Sequence, residues 1–281
     1  MRNIDTAAIK SHAARRFRSE YDYALFEYYR SAKVFRFLEQ AGVQVGGSIL
    51  DAGCGGGGMP LSFAEEARQV VGIDLAPRFA DAGHKLAAEH GLRNLHFTRA
   101  DGQALPFPDA SFDMVLSHAV IEHVADAARY MRELARVLKP GGTIYLSTAP
   151  YLSFAGAHLP RLAVPIPLHL ILGRRVSFSI FVWLARHVPW ILQEPEHENS
   201  FIKLARQGRP KRDDLLEKVR IPSLREHIRQ AGLSIKIEAL QVTGTFRRAP
   251  ASIVGWLRDT PIIQDIVVGN VEYVLVRERE G

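Results

Sequence analysis

A chain of 281 residues with 47% hydrophobic and 23% charged residues can bury a sizeable core and is too apolar for extended disorder. Its one cysteine, Cys54, excludes an intrachain disulfide and points to a reducing compartment. The formal net charge of +6 is localised, because residues 151–230 hold 13 Lys/Arg against 7 Asp/Glu while the remainder holds 23 of each.

Arg15, Arg16 and Arg18 stand where a signal peptide would need a continuous apolar run, so the cytoplasm is the expected location. Residues 1–44 read as an N-terminal helical cap. Within it Glu20 to Ala41 forms one expected helix carrying Tyr21, Tyr23, Phe26, Tyr28, Tyr29, Phe35 and Phe37, rings whose expected role is packing.

From 45 to 150, short apolar runs alternate with helical patterns, the signature of repeated βα units on a parallel sheet. Strands are expected at Ser48 to Ala52, Gln69 to Asp74, Leu95 to Asp101, Phe112 to Ala119 and Thr143 to Thr148. Helices are expected near Met59 to Ala67, Pro77 to His90 and Asp126 to Leu138. Pro77 suits a first helical position, where its missing N–H is not needed. Pro140-Gly141-Gly142 is expected to stop the third helix and turn the chain into the fifth strand.

Residues 151–221 exceed what a connection from strand five to the next helix needs, and a long insertion of this kind usually serves a function. Leu162 to Gly173 and Val176 to Ala185 are strongly apolar, flanked by Arg161, Arg174, Arg175 and Arg186 and interrupted by Pro165, Pro167 and Pro189. Each run is shorter than the roughly 20 residues a membrane span requires. A helical lid lining an apolar acceptor pocket is expected, with a cap that packs on its own body as the alternative. Residues 222–281 then complete the core through a helix at Ser223 to Ala231, closed by Gly232, and strands at Ser234 to Val242 and Val271 to Arg277, an antiparallel pair at one sheet edge. The fold class is therefore α/β: a doubly wound, Rossmann-like, seven-stranded sheet with a lid inserted after strand five.

Strand one runs into Asp51-Ala-Gly53-Cys54-Gly55-Gly-Gly57-Gly58, a Gly-rich turn at the carboxyl end of a strand, where open α/β sheets bind ligands. Gly53, Gly55 and Gly58 also satisfy the dinucleotide pattern G-x-G-x-x-G, which keeps a nicotinamide oxidoreductase in play. Asp51 argues the other way, since a carboxylate there disfavours a pyrophosphate and suits a cationic ligand. Asp74 ends strand two, placed to accept hydrogen bonds from both ribose hydroxyls of either cofactor.

Four motifs in order now carry a resemblance: Ile49 to Gly58, Val71-Gly-Ile-Asp74, Arg99-Ala-Asp101 through Leu105-Pro-Phe-Pro-Asp to Asp113, and Arg136-Val-Leu-Lys-Pro-Gly-Gly142. Together they resemble the class I S-adenosylmethionine-dependent methyltransferases, of the small-molecule, quinone-pathway-like branch. That resemblance implies S-adenosyl-L-methionine as cofactor, with Asp51, Gly53, Cys54, Gly55 and Gly57 along its methionine part and Asp74 and Leu75 at the ribose. It places Asp101, Gly102 and Gln103 at the adenine, and Ser117 and His118 at the methionine end, where His118 also faces the substrate. Asp101 could instead cap a turn, and Asp113 is expected to anchor the loop before strand four.

Strand four exits as Ser117-His118-Ala119-Val120, without the Asn/Asp-Pro-Pro-aromatic run that resembling enzymes use on nucleobase amino groups, so no nucleic acid partner is expected. Glu122-His123 resembles the end of a Glu-x-x-Glu-His metal motif, but Ala119 fills the first Glu position, and no metal is expected. His118, His158 and His197 are the candidate catalytic residues, with His169 and Glu194 further polar groups of the lid. The expected function is O- or C-methylation of a large, apolar, lipid-linked or anionic small-molecule acceptor. Peripheral membrane contact and a homodimer are compatible with the basic, apolar insertion. A catalytically silent cofactor-binding accessory protein is the alternative.

Overall fold

The computed structural model describes residues 5–16, 18–153, 168–192, 219–243, 246, 250–261 and 263–279. The chain divides into two compact units. Unit 1 comprises Met1–Ser147, Arg225–Glu238 and Glu272–Gly281, and unit 2 comprises Thr148–Leu224 and Ala239–Val271.

Three helices open unit 1: α1 (Thr6–Ala13), α2 (Glu20–Arg30) and α3 (Ala32–Gln40). Ser19 caps α2, its Oγ accepting from the Asp22 N–H at 3.0 Å. The single helix expected over Glu20 to Ala41 is divided at Ser31, whose hydroxyl donates back to the Tyr28 carbonyl. Such back-bonding competes with the helical ladder and bends it.

β1 (Ser48–Ala52), α4 (Gly58–Ala64), β2 (Gln69–Asp74), α5 (Ala82–Glu89), β3 (Leu95–Arg99), β4 (Phe112–His118), α6 (Ala127–Val137) and β5 (Leu138–Thr148) follow. α9 (Ile221–Gln230), β6 (Leu233–Val242) and β7 (Val268–Arg277) return to the sheet, with part of each falling in unit 2. The strand order is β3-β2-β1-β4-β5-β7-β6, mostly parallel with antiparallel C-terminal strands, as expected. β1 pairs with β2 (Ser48 opposite Gln69) and with β4 (Ile49 opposite Met114), so strand order reverses between β1 and β4. At such a reversal the connections leave in opposite directions and a crevice opens beyond the carboxyl ends.

Burial explains the elements. β1 is buried along its whole length, as a central parallel strand covered on both faces must be. α6 buries Tyr130, Met131, Leu134, Ala135 and Val137 at helical spacing and begins with Asp126 accepting from the Arg129 N–H at 2.9 Å. Arg136 donates to Glu133, Asp109 and the Leu105 and Phe107 carbonyls, fixing the loop before β4. Asp113, expected to anchor that loop, instead ties the start of β4 to its neighbours, accepting from the Ser48 N–H of β1 and from Lys139 Nζ of β5, each at 2.8 Å.

Two expected boundaries are corrected. Pro77 does not start α5, because the Ala80 N–H bonds the Pro77 carbonyl in a turn and the helix begins at Ala82. Pro140-Gly141-Gly142 lies inside β5, which starts at Leu138 and is irregular in register between Phe112 and Met114 of β4. A bulge absorbs the turn residues that sequence reads as a connection.

Unit 2 has its own small core. α7 (Leu168–Ile171), α8 (Gly173–His187) and a 3₁₀ turn at Pro189–Ile191 gather Phe178, Phe181, Ala185 and Leu192. α10 (Ala251–Asp259) and α11 (Ile263–Val267) belong to the same unit, and the fully buried Asp265 of α11 accepts from the Ile221 N–H at 2.7 Å and Arg220 Nε at 3.0 Å.

The packing of α2 on α4 depends on a residue without a side chain. A Cβ on Gly58 would lie 1.8 Å from the Ala24 carbonyl oxygen and 2.9 Å from the Tyr28 nitrogen, both backbone atoms of α2. Gly58→Ala is therefore expected to lower unfolding free energy by about 3 kcal/mol, the upper end of overpacking penalties. Urea denaturation checks this; unchanged stability would mean that α2 is not fixed against α4.

Candidate active site

The Gly-rich turn is pinned to β2, with the Gly53 and Cys54 N–H groups both donating to the Ile73 carbonyl at 2.8 Å. Gly53 holds φ +99°, and a Cβ there would lie 2.2 Å from Val120 Cγ2, so this position is closed to any other residue. Asp74 accepts from the Gly55 N–H through Oδ2 and from the Ala76 N–H through Oδ1, each at 2.9 Å. A carboxylate oxygen has two lone pairs, so each can still accept a hydroxyl.

Three acids surround this turn. Asp51 is buried, its Oδ2 has no hydrogen-bond partner among the described residues, and burial raises its carboxyl well above the usual range, with Glu27 and Asp74 adding repulsion. Glu27, from α2, is raised to about 7 by burial against the opposing pull of Arg30 and Arg78. Its Oε2 is also unpartnered and lies 3.6 Å from where a Cβ on Gly55 would stand. Arg30 is 3.7 Å from Glu27 and Arg78 is 3.6 Å from Asp74, so the acids are only partly balanced. Sequence reading missed Glu27 and Arg30. The available signal was a Glu-x-x-Arg pair at i, i+3 on an otherwise aromatic helix.

The remaining cofactor candidates divide by what they touch. Asp101 Oδ1 accepts from the Gln103 N–H at 2.8 Å and from Gln103 Nε2 at 3.2 Å, and Gln103 Oε1 accepts from the Asp126 N–H, so Asp101 does cap a turn. Gly102 backs onto the Tyr130 ring, which a Cβ would meet at 2.5 Å. Ser117 is buried with its hydroxyl 2.8 Å from the Tyr130 hydroxyl, which in turn donates to the Ala52 carbonyl. Burial raises the Cys54 thiol well above its ordinary range, which keeps it from being a thiolate. Gly57 holds φ +88° against Phe97 and Gly83, and Leu75 is exposed beside Asp74.

His118 ends β4. Its Nδ1 is 3.3 Å from the Tyr145 hydroxyl, and that hydroxyl donates to Glu272 Oε1 at 2.8 Å. The one phenolic proton points to Glu272, so toward His118 the oxygen can only accept. Nδ1 therefore carries the imidazole proton and Nε2 keeps a lone pair. Burial, with Arg30 as second cause, lowers His118 to about 3, so the ring is neutral near pH 7. The next residue, Ala119, holds φ 55°, a left-handed conformation that costs a non-glycine residue about 1 kcal/mol or more and sharpens the turn after His118.

His158, His197 and Glu194 lie outside the described residues. His169 is buried in unit 2, its ring edge-on to Tyr151. Glu122 is buried in a 3₁₀ turn beside exposed His123, and among the described residues no three His, Cys, Asp or Glu side chains gather closely enough to hold a metal ion.

Comparison with known proteins follows this geometry. Residues 50–146 match the family described as a methyltransferase domain. The uncharacterized methyltransferase YcgJ of Bacillus subtilis is 32% identical over 151 residues, covering 50% of this chain and 60% of that protein. The ubiquinone biosynthesis O-methyltransferase of Sodalis glossinidius is 28% identical over 173 residues, covering 59% of this chain and 67% of that protein. This chain thus spans less than two thirds of YcgJ. Among solved structures, an S-adenosylmethionine dependent methyltransferase from Mesorhizobium loti superposes with TM-score 0.54 at 19% identity, over 86% of this chain and 96% of that one, which shows a shared fold.

Two outcomes are expected. Glu27 is raised from its ordinary 4.5 to about 7, so its proton is held more tightly in the folded state. Its stabilising contribution is full below about pH 4.5 and lost as pH rises through about 7, on the order of 3 kcal/mol across that window. Glu27→Gln should remove that part of the slope in denaturation against pH, and an unaltered slope would contradict the assignment. Imidazole ring shifts in nitrogen-15 and carbon-13 spectra should show His118 neutral with its proton on Nδ1 from pH 5 to 8. Tyr145→Phe should mix the tautomers, and a pure Nε2–H form in the parent would refute the chain of hydrogen bonds.

Proposed function

We propose, from the premise that residues 50–146 belong to the methyltransferase domain family, that this chain binds S-adenosyl-L-methionine and methylates an oxygen or carbon of a small-molecule acceptor. The observation that carries the reading is the pair of buried, unpartnered carboxylate oxygens of Glu27 and Asp51 beside the Gly-rich turn. A buried carboxylate whose charge is only partly balanced is costly, and a ligand bearing an ammonium and a sulfonium supplies what the pair lacks. A dinucleotide would bring a pyrophosphate to the same acids, which disfavours the oxidoreductase.

In this reading Asp51 and Glu27 hold the ammonium, Arg30, whose Nε has no partner among the described residues, meets the methionine carboxylate, and Asp74 accepts from the ribose hydroxyls. Gln103 and the free oxygen of Asp101 face the adenine. When bound, the cofactor supplies an electrophilic methyl on a positively charged sulfur. His118 orients the acceptor through Nε2. As an acceptor oxygen gains its new carbon, its proton becomes strongly acidic, and even an imidazole held to about 3 takes it.

The acceptor class is the large, apolar or lipid-linked intermediate that the insertion after β5 favours, and the relative from Sodalis glossinidius supports an O-methyl product. Peripheral contact with a membrane belongs to the same reading. No helix among the described residues is long and apolar enough to cross a membrane.

Calorimetry should show micromolar binding of S-adenosylmethionine or S-adenosylhomocysteine and none of NAD. Because Glu27, raised to about 7, must ionise to help hold the ammonium, binding at pH 6 should release a proton from it, and affinity should rise by up to about tenfold per pH unit while it remains protonated. Asp74→Ala should weaken cofactor binding by about 1.5 to 3 kcal/mol or more. Tight NAD binding with no response to either sulfur ligand would overturn the reading. Methyl transfer to quinone, polyketide and sugar acceptors, with His118→Ala slowed about 10² to 10⁴-fold, identifies the substrate and the base together.

A further inference from the structure

All three tryptophans of this chain, Trp183, Trp190 and Trp256, lie in unit 2, and they are 54%, 80% and 62% exposed. Unit 2 also contains the whole formal charge excess, with 14 Lys/Arg against 8 Asp/Glu, while unit 1 is balanced at 22 of each. Tryptophan is a costly residue to leave in water, and a neutral folded body needs no such cluster of cations.

The geometry of α8 shows how the two features combine. Phe178, Phe181 and Ala185 face the small core of unit 2. Val176, Ser179, Trp183 and His187 recur every three or four residues on the opposite, exposed side, and the Trp183 and His187 rings stack at 5.1 Å. Ile171 and Leu172 precede this face, Trp190 follows it, and exposed Arg186 stands beside it. Ile253 and Trp256, on α10 of the same unit, are exposed as well. A helix that buries one apolar face and exposes a second, edged by an arginine and by tryptophan, has the composition of an element lying in the headgroup layer of a membrane.

We propose that this surface of unit 2 docks on an anionic lipid bilayer. Nucleic acid would match the charge but would gain nothing from Ile171, Leu172 and Val176. A second copy would bring one +6 unit against another. Docking deepens the reading of a lipid-linked acceptor and rests on it only for that consequence, because membrane binding is measured without turnover.

Every tryptophan belongs to unit 2, so tryptophan fluorescence of the full chain reports on that unit alone, and Trp183 and Trp190 report on this face of it. Vesicles of phosphatidylcholine containing phosphatidylglycerol should shift the emission to the blue, brominated acyl chains should quench it, and salt should reverse both. Arg186→Glu should weaken vesicle binding about five-fold or more, and Trp183→Ser with Trp190→Ser about ten-fold or more. Both variants should keep the parent's cofactor affinity by calorimetry, which shows that they fold. Four results would overturn the proposal: no quenching, equal binding to pure phosphatidylcholine, a blue shift that follows protein concentration without lipid, or a response to RNA and not to vesicles. Vesicle binding by a parent chain that fails to bind S-adenosylmethionine would leave docking intact and remove the methyltransferase reading instead.

Discussion

A group of buried acids only partly balanced by cations is the constraint on which the rest of this structure depends. Asp51, Glu27 and Asp74 come from β1, α2 and β2, three separate stretches of chain brought to one glycine turn. Each carboxylate is more stable in water, so the fold must hold them together by other means. The fully buried β1 fixes Asp51, and the close approach of α2 to α4 at Gly58 fixes Glu27. Two backbone N–H groups fix Asp74 and leave it able to accept more. Removing water from such acids raises their affinity for a cation that fits, and the same desolvation makes the ligand-free state less stable at neutral pH.

The sheet supplies the second requirement, which is a place to react. Strand order reverses between β1 and β4, and Asp51 and His118 stand near the carboxyl ends of these two adjacent parallel strands. His118 gains its tautomer from Tyr145 on β5 and Glu272 on β7, two further strands of that sheet. Rigid strands fix side-chain positions better than loops do, and here the candidate base, its orienting hydroxyl and the carboxylate behind it all sit on strands.

Most of the sheet was legible in the sequence, because a buried parallel strand such as Ser48 to Ala52 is a short apolar run with a ligand-binding turn directly after it. Asp51 and Asp74 were legible for the same reason, since their place at strand ends is a matter of local sequence. Glu27 was not. Its role depends on α2 crossing α4, a tertiary contact that leaves only a lone acid in a stripe of aromatic rings. Tyr145 and Glu272 were hidden likewise, being 127 residues apart in sequence and joined only by the order of strands. Pro77 and the Pro140 to Gly142 turn were misjudged because local propensity yields to a turn and a bulge that the sheet imposes.

Discrimination of one functional group on the ligand tests the electrostatic account most directly. Binding of S-adenosylhomocysteine should be compared with that of its analogue lacking the α-amino group, at pH 8, in the parent chain and in Asp51→Asn. The parent should prefer the amine by about ten-fold or more, the value of a charge-assisted hydrogen bond, and the preference should collapse in the variant. An amine preference that is absent from the parent, or that survives intact in Asp51→Asn, would contradict the claim that these buried acids exist to hold a cation.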